Sequence, residues 1–234
     1  MAKPKELGRI RFPGNPWPKG HAITNFQWSG RIERGTGIWF DLHLETAKYY
    51  ADDPKSHANY CDDDEDDDDS TDDWTSKTVW CNYHSCTISS TKWVGNGTGF
   101  LAGTKNAPLD FGKLGKKVFA FDDNPEDLSP PRPFGIYLTG HDSVSGHHIR
   151  FKPEKSKSTF SVEWSGKIAL SYGGSDEFKY SFKASLSNVR FDGIELPHNV
   201  SKFEAMVLAE PFLCDVHSAW KISKTKGGLR LLPK

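Results

Sequence analysis

The sequence predicts a mainly β protein, an antiparallel sandwich or barrel with one or two short helices, on three observations. The first is strict alternation in Phe178-Lys-Tyr-Ser-Phe-Lys-Ala-Ser-Leu186. Phe178, Tyr180, Phe182, Ala184 and Leu186 share one face, while Lys179, Ser181, Lys183 and Ser185 share the other. That is the period of a strand with one buried side. The second is punctuation: 21 Gly and 14 Pro interrupt short apolar runs along the chain, which suits tight turns and breaks helices. The third is ring content, with 8 Trp, 15 Phe and 7 Tyr against 2 Met, enough to build a stiff aromatic interior.

The elements follow in order. Residues 22–28, 31–34 and 37–44 read as a first meander, and Glu45–Ala51 reads as a short helix ahead of Pro54. Lys117–Phe121 and Phe134–Leu138 add strands around the proline-rich joint 129–133. Residues 159–164 and 167–172 read as antiparallel neighbours turned at Ser165-Gly166, followed by the alternating strand and a further strand over Ser187–Phe191. Ser201-Lys-Phe-Glu204 is a capping box that opens a helix ending before Pro211.

A segment recurs. Trp28-Ser-Gly-Arg-Ile32 returns as Trp164-Ser-Gly-Lys-Ile168, preceded by Gly20-His-Ala-Ile23 and Gly146-His-His-Ile149 respectively. The recurrence predicts internal duplication: a first β unit over 1–128 and a second over 129–234, the latter carrying the helix near 202–210.

Charge is segregated. Ten of the 31 acids lie in residues 62–73, leaving 21 against 30 Lys and Arg, a surplus of nine positive charges on the rest of the chain. An acidic loop on a cationic body predicts a role in electrostatic recognition. No apolar run is long enough to span a bilayer, and no apolar stretch follows the charged start, so the chain reads as cytoplasmic. Cys61, Cys81, Cys86 and Cys214 are too few for a disulfide scaffold and read as reduced thiols. The spacing of Cys81, His84 and Cys86 fits poorly with a structural zinc site.

The residues that carry chemistry form four groups. Asp41, His43 and Glu45 alternate along a strand and so stand in a row on one face, as catalytic acid and base or as ligands for a divalent metal. His141 and His147 fall in Thr139-Gly-His-Asp-Ser-Val-Ser-Gly-His-His148, read as a loop between strands and as candidate metal ligands. Trp17, set among prolines, reads as an exposed binding platform. Asp64, Asp66 and Asp68 in the acidic loop, with Arg150 and Lys152 in a basic cluster, are the candidate contacts for a partner.

No complete catalytic signature accompanies these groups. The expected function is therefore a non-enzymatic binding protein, of inhibitor or immunity type, that recognises a protein partner through charged loops without a cofactor. The alternative is a metal-dependent or glycan-acting enzyme using Asp41, His43 and Glu45. A second alternative is a nucleic-acid-binding basic body gated by the acidic loop.

Overall fold

The structure, a computed structural model, describes residues 6–52, 72–90, 97–123, 131–155, 158–225 and 228–234. Two long meanders organise it. In the first, β1 (Gly8–Arg11), β2 (His21–Glu33) and β3 (Gly37–Thr46) pair in sequence, all antiparallel. The second begins after β4 (Thr87–Ser89), β5 (Phe100–Gly103), β6 (Phe119–Phe121) and β7 (Gly135–Tyr137). It consists of β8 (Ser143–Pro153), β9 (Phe160–Ala169) and β10 (Tyr180–Val189), again paired antiparallel in order. β10 then returns to pair with β1. The result is a mainly β, antiparallel sheet curled on itself towards a barrel.

The flanks of the curl are patched by short strands. β4 and β5 each pair with β3, β7 pairs with β4, and β6 pairs with β8. Where β5 faces β6, rings rather than backbone make the contact: Phe100 stacks on Phe121 with centroids 4.8 Å apart. Past the far end of β2, β11 (Ile194–Glu195) adds in parallel, and β13 (Gly228–Pro233) and β12 (Trp220–Thr225) extend from it. The β1–β10 ladder joins the two parts of the chain in one sheet, so two related sheet units divided near residue 128 do not stand out as such.

The interior is aromatic. Phe182, Ala184 and Leu186 of β10 point inward, as the alternation requires, and Lys183 and Ser185 point out. Trp28 stacks on Phe151 at 4.0 Å and meets Phe160 edge-on at 5.2 Å, so β2 packs directly against β8 and β9. Each such ring removed from water contributes about 2–3 kcal/mol. A second cluster of Phe12, Trp17, His21, Tyr49, Trp74 and Trp80 gathers beside β1, with Tyr49 and Trp80 centroids 4.9 Å apart and Trp74 stacked on Tyr180 at 4.2 Å.

Several local expectations are corrected. Neither Trp-Ser-Gly segment is a turn; both lie mid-strand, in β2 and in β9. A Cβ at Gly166 would sit 2.6 Å from the Phe182 ring and 2.9 Å from the Ser145 carbonyl oxygen, so glycine is there for close packing. Ser187–Phe191 is not a separate strand: β10 continues to Val189 through an irregularity in which Asn188 takes a φ of 56°. The helix expected at Glu45–Ala51 is absent because its N–H groups are taken elsewhere, Thr46 donating to the Cys86 carbonyl and Tyr49 to that of His84.

The helices are short: α1 (Lys77–Asn82), α2 (Lys202–Ala209) and α3 (Val216–Ala219). The α2 capping box forms as expected between Ser201 and Glu204. No described helix is long and apolar enough to cross a membrane. Cys86 and Cys214 are free thiols, and complete burial pushes the Cys86 pKa far up.

Candidate functional site

The β3 row forms as alternation demands, but it is enclosed. Phe40, Leu42 and Leu44 fill the barrel, while Asp41 and His43 on the opposite side are only 2% and 6% exposed. Asp41 is ion-paired to Arg31 on β2 and accepts a 2.8 Å hydrogen bond from the Ser90 hydroxyl. Arg31 also donates to the Thr98 carbonyl at 2.6 Å, which fastens the segment around Gly99 over the pair.

Two residues on, His43 Nε2 faces Glu45 Oε1 at 3.2 Å, and His43 Nδ1 shares a 2.6 Å hydrogen bond with Ser89 Oγ. A carboxylate only accepts, so Nε2 carries a proton towards Glu45. Ser89, His43 and Glu45 thus stand in the order of a serine-hydrolase relay. However, Ser89 is wholly buried, in the middle strand between β3 and β7. A nucleophile must reach a substrate carbonyl, and this hydroxyl does not.

The two candidate metal ligands are separated by strand geometry. Residues 143–148 belong to β8 rather than to a loop. His147 points into the barrel among Phe121, Phe134, Trp164 and Phe182, whereas His141 lies exposed against Tyr137. The turn before β8 is held by Asp142, which accepts from the Thr139 amide and hydroxyl and from the Tyr172 amide. His147 Nδ1 accepts from Trp164 Nε1 at 3.2 Å, and burial pushes its pKa down to about 3. Among the described residues no group of three His, Cys, Asp or Glu is placed to hold a metal ion.

Trp17 is no open platform. It is half-buried, 5.3 Å from the ring of His21 and 5.9 Å from that of Trp80. His21 shares this apolar setting, and burial pushes its pKa down to about 4.

What the fold does assemble is a cationic face. Arg150 and Lys152 sit on the outer side of β8, not on loops. Ladder registry carries them across the sheet: Arg150 opposes Glu163, Glu163 opposes Ser185, and Ser185 opposes Arg9. One row along, His148, Ser165, Lys183 and Arg11 align in the same way, with Lys167 beyond them opposite Ser181.

Within these rows Glu163 is the lone carboxylate, and it is paired to Lys152. Arg9 is paired to Glu6 and Asp52. Arg11, Arg150, Lys167 and Lys183 are exposed and have no acidic partner among the described residues. Between β8, β9 and β10 the face dips into a depression of about 520 Å³ bordered by His148, Arg150, Glu163, Ser165, Lys183 and Ser185. Sequence reading found Arg150 and Lys152 but missed Arg11, Lys167 and Lys183. The alternation placed Lys183 outward, but the register that aligns these residues was not readable.

Residues 62–71 of the acidic run, including Asp64, Asp66 and Asp68, lie outside the described residues, as does Cys61. Asp52 is ion-paired to Arg9 on β1, and the Asp72 carboxylate accepts from the Tyr180 hydroxyl on β10 at 2.7 Å. In comparisons with protein-family models, curated proteins and solved structures, nothing matches this chain.

Proposed function

We propose that the protein is a non-enzymatic binding protein that recognises an acidic protein partner through the outer face of β1, β10, β9 and β8. The observation that carries this is the set of four exposed cations, Arg11, Arg150, Lys167 and Lys183, aligned by strand register in rows whose own lone carboxylate is Glu163. Like charges aligned on one sheet repel one another, and an acidic partner relieves that repulsion while gaining speed of encounter. The enclosure of Asp41 and His43 weighs against the metal-dependent or glycan-acting alternative that uses them with Glu45.

Titration with a fluorescent poly-glutamate peptide at low ionic strength tests the reading. The full chain binds it, the affinity falls steeply with added salt, and an Arg150→Gln, Lys167→Gln, Lys183→Gln variant binds at least about tenfold more weakly. Equal binding by the triple variant overturns the proposal. Preference for duplex DNA of matched charge transfers the face to nucleic-acid recognition instead.

A further inference from the structure

A second cavity, sharing no residue with the cationic face, opens where β9 begins and β10 ends. It measures about 590 Å³, within the range of small-molecule sites. Phe111, Phe160 and Phe191 line its apolar side, and Arg190, Lys221 and Lys234 supply its charge; among the described residues no Asp or Glu lines it. The rings are mutually fixed, with Phe111 4.9 Å from Phe191 and 5.6 Å from Phe160.

The layer behind these rings is tryptophan. Trp28 lies 4.6 Å from Phe191 and 5.2 Å from Phe160, and Trp220 lies 5.2 Å from Phe111. The indole N–H groups of Trp28 and Trp220 are both buried and both lack an acceptor among the described residues. Buried donors of that kind are rare in folded proteins and call for a physical reason.

The charged groups differ in their commitments. Lys234 Nζ already donates to the His217 carbonyl at 2.8 Å. Arg190, placed just beyond the Asn188 irregularity at the end of β10, and Lys221 on β12 are exposed, with no acidic partner among the described residues. Three phenyl rings and two uncommitted cations on one cavity call for a ligand with two matching parts. Its body is flat and apolar, to lie on the rings. Its head is an anion bearing only acceptors, to meet the guanidinium and ammonium groups.

We infer that this cavity binds an aromatic anion, with its ring against Phe111, Phe160 and Phe191 and its phosphate, sulfonate or carboxylate on Arg190 and Lys221. The inference does not depend on the proposed protein-binding face.

The probes are 8-anilinonaphthalene-1-sulfonate, followed by fluorescence, and unlabelled 2-naphthyl phosphate as competitor, both with the full chain. Fluorescence is expected to saturate at one probe per chain and to be displaced by 2-naphthyl phosphate. Inorganic phosphate or 2-naphthol at the same concentration should displace it at least about tenfold less well, because each carries only half of the recognised chemistry. An Arg190→Gln, Lys221→Gln variant should bind about tenfold or more weakly while melting at the wild-type temperature, since both side chains are exposed. A Phe111→Leu variant adds an independent arm by removing a floor ring while leaving the cations in place, and it should weaken both naphthyl probes. Absence of saturable binding overturns the inference, as does displacement by 2-naphthol equal to that by 2-naphthyl phosphate. Retention of full affinity by the folded double variant overturns it as well.

Discussion

The two Trp-Ser-Gly segments obey one local rule and meet two different surroundings. In β2 and in β9 the tryptophan points inward, the serine follows on the other side and the glycine returns to the interior; β9 is flanked there by β8 and β10, and β2 by β3 and β11. Trp164 donates its indole proton to His147 on the neighbouring strand, and Gly166 is pressed between the Phe182 ring and the Ser145 backbone. Trp28 packs among Phe151, Phe160 and Phe191 with its indole N–H unpartnered, and Gly30 has looser neighbours, the nearest being Ile194 Cγ1 at 3.1 Å from a built Cβ. The histidines that precede the two segments also differ in place: His21 shares β2 with Trp28, whereas His147 lies on β8, beside the strand of Trp164. Identical sequence therefore fixes which way a residue points, while the partner it meets is set by the strands that surround it.

Substitution separates the two segments most strongly at the tryptophans. Trp164→Phe leaves a void and strips the His147 nitrogen of its donor, so it should destabilise by about 2–3 kcal/mol in urea unfolding. Trp28→Phe leaves a similar void but also removes a donor that has no acceptor, and should cost only about 1 kcal/mol. Equal losses would break the comparison.

The histidines sharpen it through pH. Burial lowers the folded-state pKa of His147 to about 3 and of His21 to about 4, against an ordinary histidine value of 6.5. Below pH 6.5 the unfolded chain therefore takes up protons that the folded chain refuses. Stability is complete above that value and falls as the pH drops, towards about pH 4 for His21 and about pH 3 for His147. Each histidine contributes a slope of about 1.4 kcal/mol per pH unit within its window. His147→Phe should remove one such slope between about pH 6 and pH 4 in a stability series, leaving that of His21. An unchanged slope would show that His147 is not held neutral.

The glycines come next. Gly166→Ala forces the Phe182 ring and the Ser145 backbone apart and should cost about 2 kcal/mol, whereas Gly30→Ala asks only a small shift of Ile194 and should cost under about 1 kcal/mol. Reversal of that order in paired thermal melts would contradict this packing. Smallest of all, Lys167→Gln or Lys183→Gln on the outer face should change stability by no more than about 0.5 kcal/mol while weakening capture of an acidic peptide.

Legibility in the sequence followed the range of the interactions. The alternation of β10 and the capping box of α2 were readable because each is decided within a few residues. The short helix expected at Glu45–Ala51 failed because Cys86 and His84, far along the chain, offer carbonyl groups to the same backbone. The β3 row was readable as a row, but its concealment was not, since Ser89, Ser90 and the Thr98 carbonyl arrive from distant parts of the chain. Arg150 and Lys152 were found in a cluster, but Arg11, Lys167 and Lys183 are isolated in sequence and meet only across ladders.

By itself, the sequence determined that this protein is built of strands, which side of each strand is apolar, and that its charges are unevenly divided. Those properties depend on side-chain period and composition, which need no knowledge of neighbours. Tertiary structure alone decided that β10 closes onto β1, that His147 is dry while His141 is wet, and that four separate cations share one surface. Register and curvature set those relations, and both arise from contacts between residues far apart in the chain, where loop-closure entropy is repaid only by the packed whole.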